Sequence, residues 1–346
     1  MGRRVLVTGL GSFWGGRGAQ VLEADPDVDV IIGLDTREPS VALDRTEYVR
    51  ADDNYSILSR IVRATQVDTI VHTFLVVDSS QMSGRQIHDT NVIGTMNLFA
   101  AASQPESRVR AVVVKSSTLV YGSTHADPVW FTEETRRPAV PRERVERSLL
   151  EVEGYVRDYA ADSPHVTVSL LRFSNVLGEE IVTPITKALE MPLVPAVFGY
   201  DPRLQFVHET DVVRAIMFVL DNELGGIYNV AGDGLLPWSE VAAICGKRLW
   251  PLPPVARGLV GSLLGRVGVD LPPELLDLLT YGRGADNRRL KQAGFEYHHT
   301  SAGAVHAFAG AARLRRTVGR PRAYRYERDV EQFFRHSPAV VREPHR

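Results

Sequence analysis

Val5-Leu-Val-Thr-Gly-Leu-Gly-Ser-Phe-Trp-Gly-Gly16 reads as the end of a strand and the turn into a helix. Val5, Leu6 and Val7 form a short apolar run suited to a buried parallel strand. Gly9, Gly11, Gly15, Gly16 and Gly18 follow, and Ala19–Ala24 continues at helical spacing. Such a turn lets backbone N–H groups approach a phosphate seated on the helix N-terminus. A second apolar strand, Val30–Asp35, then ends in a carboxylate. An acid roughly twenty residues after the turn can accept both ribose hydroxyls of NAD and repels a 2′-phosphate. Strand, glycine turn, helix, strand and acid together make a dinucleotide signal.

The chain has 346 residues, enough for one large core or a core with a subdomain. A net charge of −2 gives no reason to expect nucleic acid as the main partner. Cys245 is the only cysteine, so an intrachain disulfide is excluded, which fits a reducing compartment. The first strand begins almost at once, leaving no room for a secretory signal. No apolar run reaches the roughly 18 residues of a membrane span. The expectation is a soluble, cytoplasmic α/β protein.

Further along, Tyr48–Asp52, Val67–Thr73, Val109–Lys115 and Val166–Arg172 read as strands. Ser56–Thr65 and Asn91–Ala102 read as helices, the latter with apolar residues at Val92, Met96, Phe99 and Ala100. Alternating strands and helices predict a doubly wound parallel sheet of Rossmann type with helices on both faces.

The motifs TGLGSFWGG (8–16), VHT (71–73), NVIGTMNLFAAA (91–102), SSTLVYG (116–122), LLRFSNVLG (170–178), QFVHETDVVRAI (205–216) and GIYNVAGDG (226–234) follow in this order. With them the chain resembles the extended short-chain dehydrogenase/reductases, and within these the NAD-dependent epimerase/dehydratases, especially UDP-glucose 4-epimerase-like proteins. The likeness covers roughly residues 3–300. It implies a Rossmann domain of residues 1–178 plus 206–232, and a smaller, discontinuous C-terminal substrate subdomain of 179–205 plus 233–302. The apolar stretch Trp250–Leu279 belongs to the latter and suits a core or a homodimer interface. An Arg-rich helical tail, 303–346, follows and is expected to be solvated, an anionic surface being its other use.

For the cofactor, the resemblance implies NAD held by Gly9, Ser12, Phe13, Trp14 and Gly15 of the turn. Asp35 matches the ribose acid, Asp52 the acid that meets the adenine, and Thr73, Phe74 and Leu75 line the nicotinamide ribose. Ser12 replaces the family's middle glycine, and its hydroxyl can donate to a phosphate. Arg37, two residues past Asp35, keeps NADP as the alternative. No metal site is expected.

Chemistry in this family needs a Tyr and a Lys at positions i and i+4 of a helix, aided by a Ser or Thr. Ser117 matches the hydroxyl member. The helix positions hold Val145 and Leu149. Independently of alignment, no lysine lies between Lys115 and Lys187, and no tyrosine between Tyr121 and Tyr155. Val145, Leu149, Val152 and Val156 form an apolar stripe instead. Lys115, two residues before Ser117, shares its face in an extended strand and is the candidate replacement. On the substrate side, Asn175 matches the asparagine near the sugar nucleotide's phosphates. Arg203 and Arg283 are candidate anion clamps. Leu204 stands where UDP-sugar enzymes commonly place an arginine. Three readings remain: an NAD-dependent enzyme acting on a sugar nucleotide or similar alcohol with an atypical acid/base set; a catalytically inactive NAD-binding sensor or scaffold; and an oxidoreductase for a lipid-like or steroid-like alcohol.

Overall fold

The computed structural model describes residues 2–80, 82–137, 140–141, 143–253, 271–318 and 330–341. The first strands and helices alternate: β1 (Arg3–Thr8), α1 (Phe13–Ala24), β2 (Val28–Asp35), β3 (Thr46–Arg50), α2 (Tyr55–Thr65) and β4 (Thr69–His72). A short helix α3 (Gly84–His88) passes through one π-helical turn, Asp89–Ile93, into α4 (Gly94–Ala102). Then come β5 (Ala111–Ser117), β6 (Trp130–Phe131), α5 (Arg144–Asp162), β7 (Thr167–Phe173) and β8 (Asn175–Leu177). They are followed by α6 (Pro184–Glu190), β9 (Leu193–Val197), β10 (Arg203–Leu204), β11 (Phe206–His208), α7 (Glu209–Asp221) and β12 (Gly226–Val230).

Seven strands form one parallel sheet in the order β12-β7-β5-β4-β1-β2-β3. The chain winds outward from β1 in both directions, so a crevice opens at the carboxyl ends of β1 and β4, where such sheets bind ligands. Strand alternation divides the core into two faces. Leu6, Ile32, Ile70, Val112 and Val114 pack with α2, α4 and α5. Val5, Val7, Ile31, Val71 and Val113 pack with α1 and α7. The doubly wound sheet is therefore as the sequence predicted.

A third cluster lies beyond the sheet, built from α6, β9, Trp238 and Leu271–Leu279. The part of Trp250–Leu279 at 254–270 lies outside the described residues. The helix Ser301–Val318 revises the expected solvated tail: Ala304, Val305 and Phe308 are buried in this third cluster. The described end of the chain, too, is attached. Phe333 is fully buried against the α2 side of the sheet, Arg4 donates to Ala339 O at 2.6 Å, and Val341 N donates to Ala64 O at 2.7 Å. Arg320, Arg322, Arg325 and Arg328 lie outside the described residues.

Candidate functional site

The glycine turn is held by its own backbone. Gly9 adopts φ +77°, and a Cβ there would stand 2.7 Å from Phe74 N. A Cβ on Gly15 would lie 2.2 Å from Gly9 O, so only glycine fits either place. Ser12 caps α1: its Oγ accepts from Gly15 N at 3.1 Å and donates to Gly9 O at 2.6 Å. The hydroxyl is thus turned into the loop instead of outward, which corrects the expected donation to a phosphate. The consequence favours a dinucleotide. With its side chain folded back, serine leaves the outer face of the turn as open as glycine would, so the residues present fit the pyrophosphate.

Asp35 ends β2 almost fully buried. Its Oδ2 accepts from Gly11 N at 3.0 Å and its Oδ1 from Arg37 N at 2.9 Å. The acid is therefore fixed beside the turn, and Arg37 meets it through its backbone. Asp52 stays exposed in the loop after β3. Thr73 is buried, its Oγ1 donating to Thr8 O at 2.9 Å, which ties the end of β4 to the end of β1. Phe13 is half-buried and meets Trp14 edge to face.

Lys115 and Ser117 follow Val113 on the α1 side of the sheet. Lys115 is almost wholly buried, and its Nζ donates to Leu75 O at 2.7 Å and stands 5.6 Å from the centroid of the Trp14 ring. Burial lowers its pKa to about 7. His72 below it is held neutral, pushed down to about 3 by burial and then by Lys115, and it bridges Thr8 and Thr95. Ser117 is half-buried, its Oγ accepting from Leu119 N at 3.2 Å. The loop that supplies Leu75 is itself pinned. Asn91 exchanges two hydrogen bonds with the Val76 backbone and donates to Ser148 of α5.

Around these residues lies a cavity of about 100 Å³. Trp14, Lys115, Ser117, Asn175 and Arg283 line it, as do Ser174, Glu274 and apolar residues such as Phe173, Ile185 and Leu275. Asn175 donates to Gln205 O at 2.8 Å, so one amide hydrogen is already used. Arg203 is not on this wall: its side chain is exposed while Leu204 is fully buried. Neighbouring positions of a strand face opposite ways, and β10 turns its leucine inward. Ser174 and Glu274 are among the lining residues that went unnoticed in the sequence. Both carboxylate oxygens of Glu274 accept from Ser79 Oγ, at 2.7 and 2.9 Å, a contact 195 residues apart that no local pattern announces.

Helix α5 contributes nothing to this wall. Val145, Leu149 and Val152 are fully buried in the core, Val156 nearly so. Its polar residues serve the interior. Glu153 holds Arg172 through both oxygens, at 3.0 and 2.6 Å, and accepts from Ser116 at 2.8 Å. Arg172 in turn donates to Tyr121, whose hydroxyl donates to Asn229. Among the described residues no group of three or more His, Cys, Asp or Glu side chains is placed to hold a metal ion, and no helix is long and apolar enough to cross a membrane.

The fold that holds turn, acid and cavity in this arrangement recurs in known proteins. Residues 5–231 match the NAD dependent epimerase/dehydratase family. An uncharacterized protein of Mycobacterium tuberculosis is 35% identical over 295 residues, covering 83% of this chain and 78% of its own length. Two solved structures share the fold. MoeE5 in complex with UDP-glucuronic acid and NAD superposes with a TM-score of 0.71 at 20% identity, covering 90% of this chain and 99% of that one. The UDP-glucose 4-epimerase of Thermotoga maritima with UDP-glucose gives 0.69 at 16% identity, covering 90% and 99%. The chain belongs to the NAD dependent epimerase/dehydratase family.

Proposed function

We propose that this protein is an NAD-dependent enzyme that acts on the alcohol of a sugar nucleotide, with Ser117 as the family's hydroxyl member and Lys115 in place of its missing tyrosine and lysine. The observation that carries the reading is Lys115. The amine is buried, which lowers its pKa to about 7 and brings its neutral, proton-accepting form within reach of neutral pH, and it stands on the cavity wall in the same strand as a hydroxyl. The turn Gly9–Gly15 would receive the pyrophosphate, Asp35 the adenosine ribose, and Thr73–Leu75 the nicotinamide side. Asp52 would face the adenine. NAD supplies hydride exchange with the carbinol carbon. Ser117 orients the hydroxyl, Lys115 takes its proton, and Asn175 steadies the nucleotide's phosphates. The substrate side is assembled from residues 179–205 and 233–302. The fixed carboxylate of Asp35 selects NAD over NADP.

A second reading is supported by α5, which brings no proton-active group to the cavity: a protein that binds NAD without turning it over. The test is to load the purified protein with NAD, offer UDP-glucose, UDP-glucuronic acid and related sugar nucleotides, and follow nicotinamide reduction and the product sugars. Reduction or epimer formation that Lys115→Met lowers by about 10²-fold or more supports the enzyme. Tight NAD binding with silence across the panel supports the scaffold, and failure to bind NAD overturns both. The apolar cavity lining also suits a lipid-like alcohol, for which turnover of apolar alcohols without any nucleotide would be the sign.

A further inference from the structure

Three ionisable side chains line the cavity: Lys115, Glu274 and Arg283. Two are already engaged. Glu274 accepts from Ser79 N at 3.1 Å as well as from its hydroxyl, and burial raises its pKa, so its oxygens already have donors. Lys115 gives its hydrogen bond to Leu75 O. Arg283 differs. It is 4% exposed, and among the described residues the one hydrogen bond of its guanidinium runs from Nη1 to Thr118 O at 2.7 Å. Among the described residues no carboxylate stands within ion-pair distance of it. Glu146, Asp127 and Asp277 act on it from further off, and Arg137 pairs with the first two, at 2.5 and 3.7 Å.

Arg283 is also placed with care. Gly282 adopts φ +70°, and a Cβ there would lie 2.5 Å from Arg203 O. Arg283 N donates to that same carbonyl, Ser123 donates to Gly282 O, and Gly284 N donates to Val129 O. Three segments therefore fix the backbone that aims this guanidinium. It is hydrogen-bonded to the carbonyl of Thr118, the residue after Ser117, which puts it on the same wall as the hydroxyl proposed to meet the reacting carbon. A second donor on the same wall is idle: Ser174 Oγ is buried without a hydrogen-bond partner.

A buried guanidinium without a contact ion pair is costly in a protein interior. It is also the side chain best suited to grip a planar, two-oxygen anion. A neutral hydroxymethyl group could satisfy one hydrogen bond here but would leave the charge unanswered. We infer that the substrate carries a carboxylate at its reacting end, as in a nucleotide-linked uronic acid, and that Arg283 is the counter-ion. This rests on the reading of the cavity as a sugar-nucleotide site, and it adds the acidic class of sugar to it.

The experiment is calorimetric titration of the NAD-loaded protein with UDP-glucuronic acid, UDP-glucose and UDP, in wild type, Arg283→Met and Arg283→Lys. Wild type should bind UDP-glucuronic acid roughly tenfold or more tightly than UDP-glucose. Arg283→Met should erase that preference while leaving UDP unchanged, and Arg283→Lys should keep part of it. Equal affinity of wild type for the two sugars overturns the inference and leaves the sugar-nucleotide reading standing. So does a preference that survives Arg283→Met, or an equal loss of UDP itself, which would make Arg283 a diphosphate ligand. Binding of NAD but of no sugar nucleotide overturns both readings. The wild-type comparison decides the matter even where Arg283→Met does not fold.

Discussion

Lys115 and Ser116 are neighbours in β5 that work on opposite faces of the sheet. Nζ of Lys115 reaches Leu75 O on the α1 side, while Oγ of Ser116 reaches Glu153 of α5 on the other. The Lys115 amine thus approaches the crevice from the side of the sheet opposite α5. Its environment is apolar, which sets its protonation and links it to stability.

That link is measurable. In the unfolded chain Lys115 holds its proton up to about 10.5, in the folded protein only up to about 7. Between these values the unfolded state binds more protons, so this group makes stability rise with pH, and it penalises folding most at pH 7 and below. Lys115→Met removes the penalty but leaves Leu75 O without its donor, a pH-independent cost of about 1–3 kcal/mol. Melting temperature of the variant minus that of wild type should therefore be most favourable near pH 6 and fall as pH approaches 10. A difference that does not change with pH would show that Lys115 is not desolvated.

Glu153→Gln should be strongly destabilising. The substitution leaves the Arg172 guanidinium without its counter-charge inside the core, for which about 3–5 kcal/mol is expected. Urea denaturation of the variant reads this directly. A loss below about 1 kcal/mol would mean that Tyr121 and the Glu133 carbonyl suffice to hold Arg172.

Restoring the family's pair on α5 is expected to fail. Val145 and Leu149 have no exposure at all, so Leu149→Lys places an ammonium in the apolar cluster, at a cost of roughly 4 kcal/mol or more. Val145→Tyr adds overpacking worth about 1–3 kcal/mol. The double variant should unfold at lower urea and gain no turnover. A stable double variant with new activity would show that α5 can turn toward the cavity.

Asp35→Ser should narrow the preference for NAD over NADP. In the role proposed for it the carboxylate would meet a 2′-phosphate, and Gly11 and Arg37 N–H groups hold it in place. Equilibrium titrations with both dinucleotides should give wild type an advantage for NAD of about tenfold or more, and the variant much less. An unchanged ratio would remove Asp35 from cofactor selection.

What the sequence made legible was local. Strand, glycine turn and terminal acid are written within the first 35 residues, because each needs only its neighbours: apolar alternation, φ +77° at Gly9, a carboxylate beside Gly11. The burial of Val145 and Leu149 was also readable, since their spacing is that of a stripe. Arg203 was misplaced although the signal was present. An apolar Leu204 beside it in a strand means that one of the two faces outward, and the charged one does. Glu274 and Ser174 were out of reach because their setting depends on segments far apart in the chain, and the Ser12 hydroxyl because its direction depends on the turn's own carbonyl.

The anchoring of Phe333 and Ala339 against the foot of the first strand has a consequence in time. Arg4 and Ala339 meet across 335 positions of sequence, so the face of the sheet that carries α2 is incomplete until the last turns are made. The contact between Arg4 and Ala339 can therefore form only after nearly all of these residues have been synthesised, which makes it among the last to close.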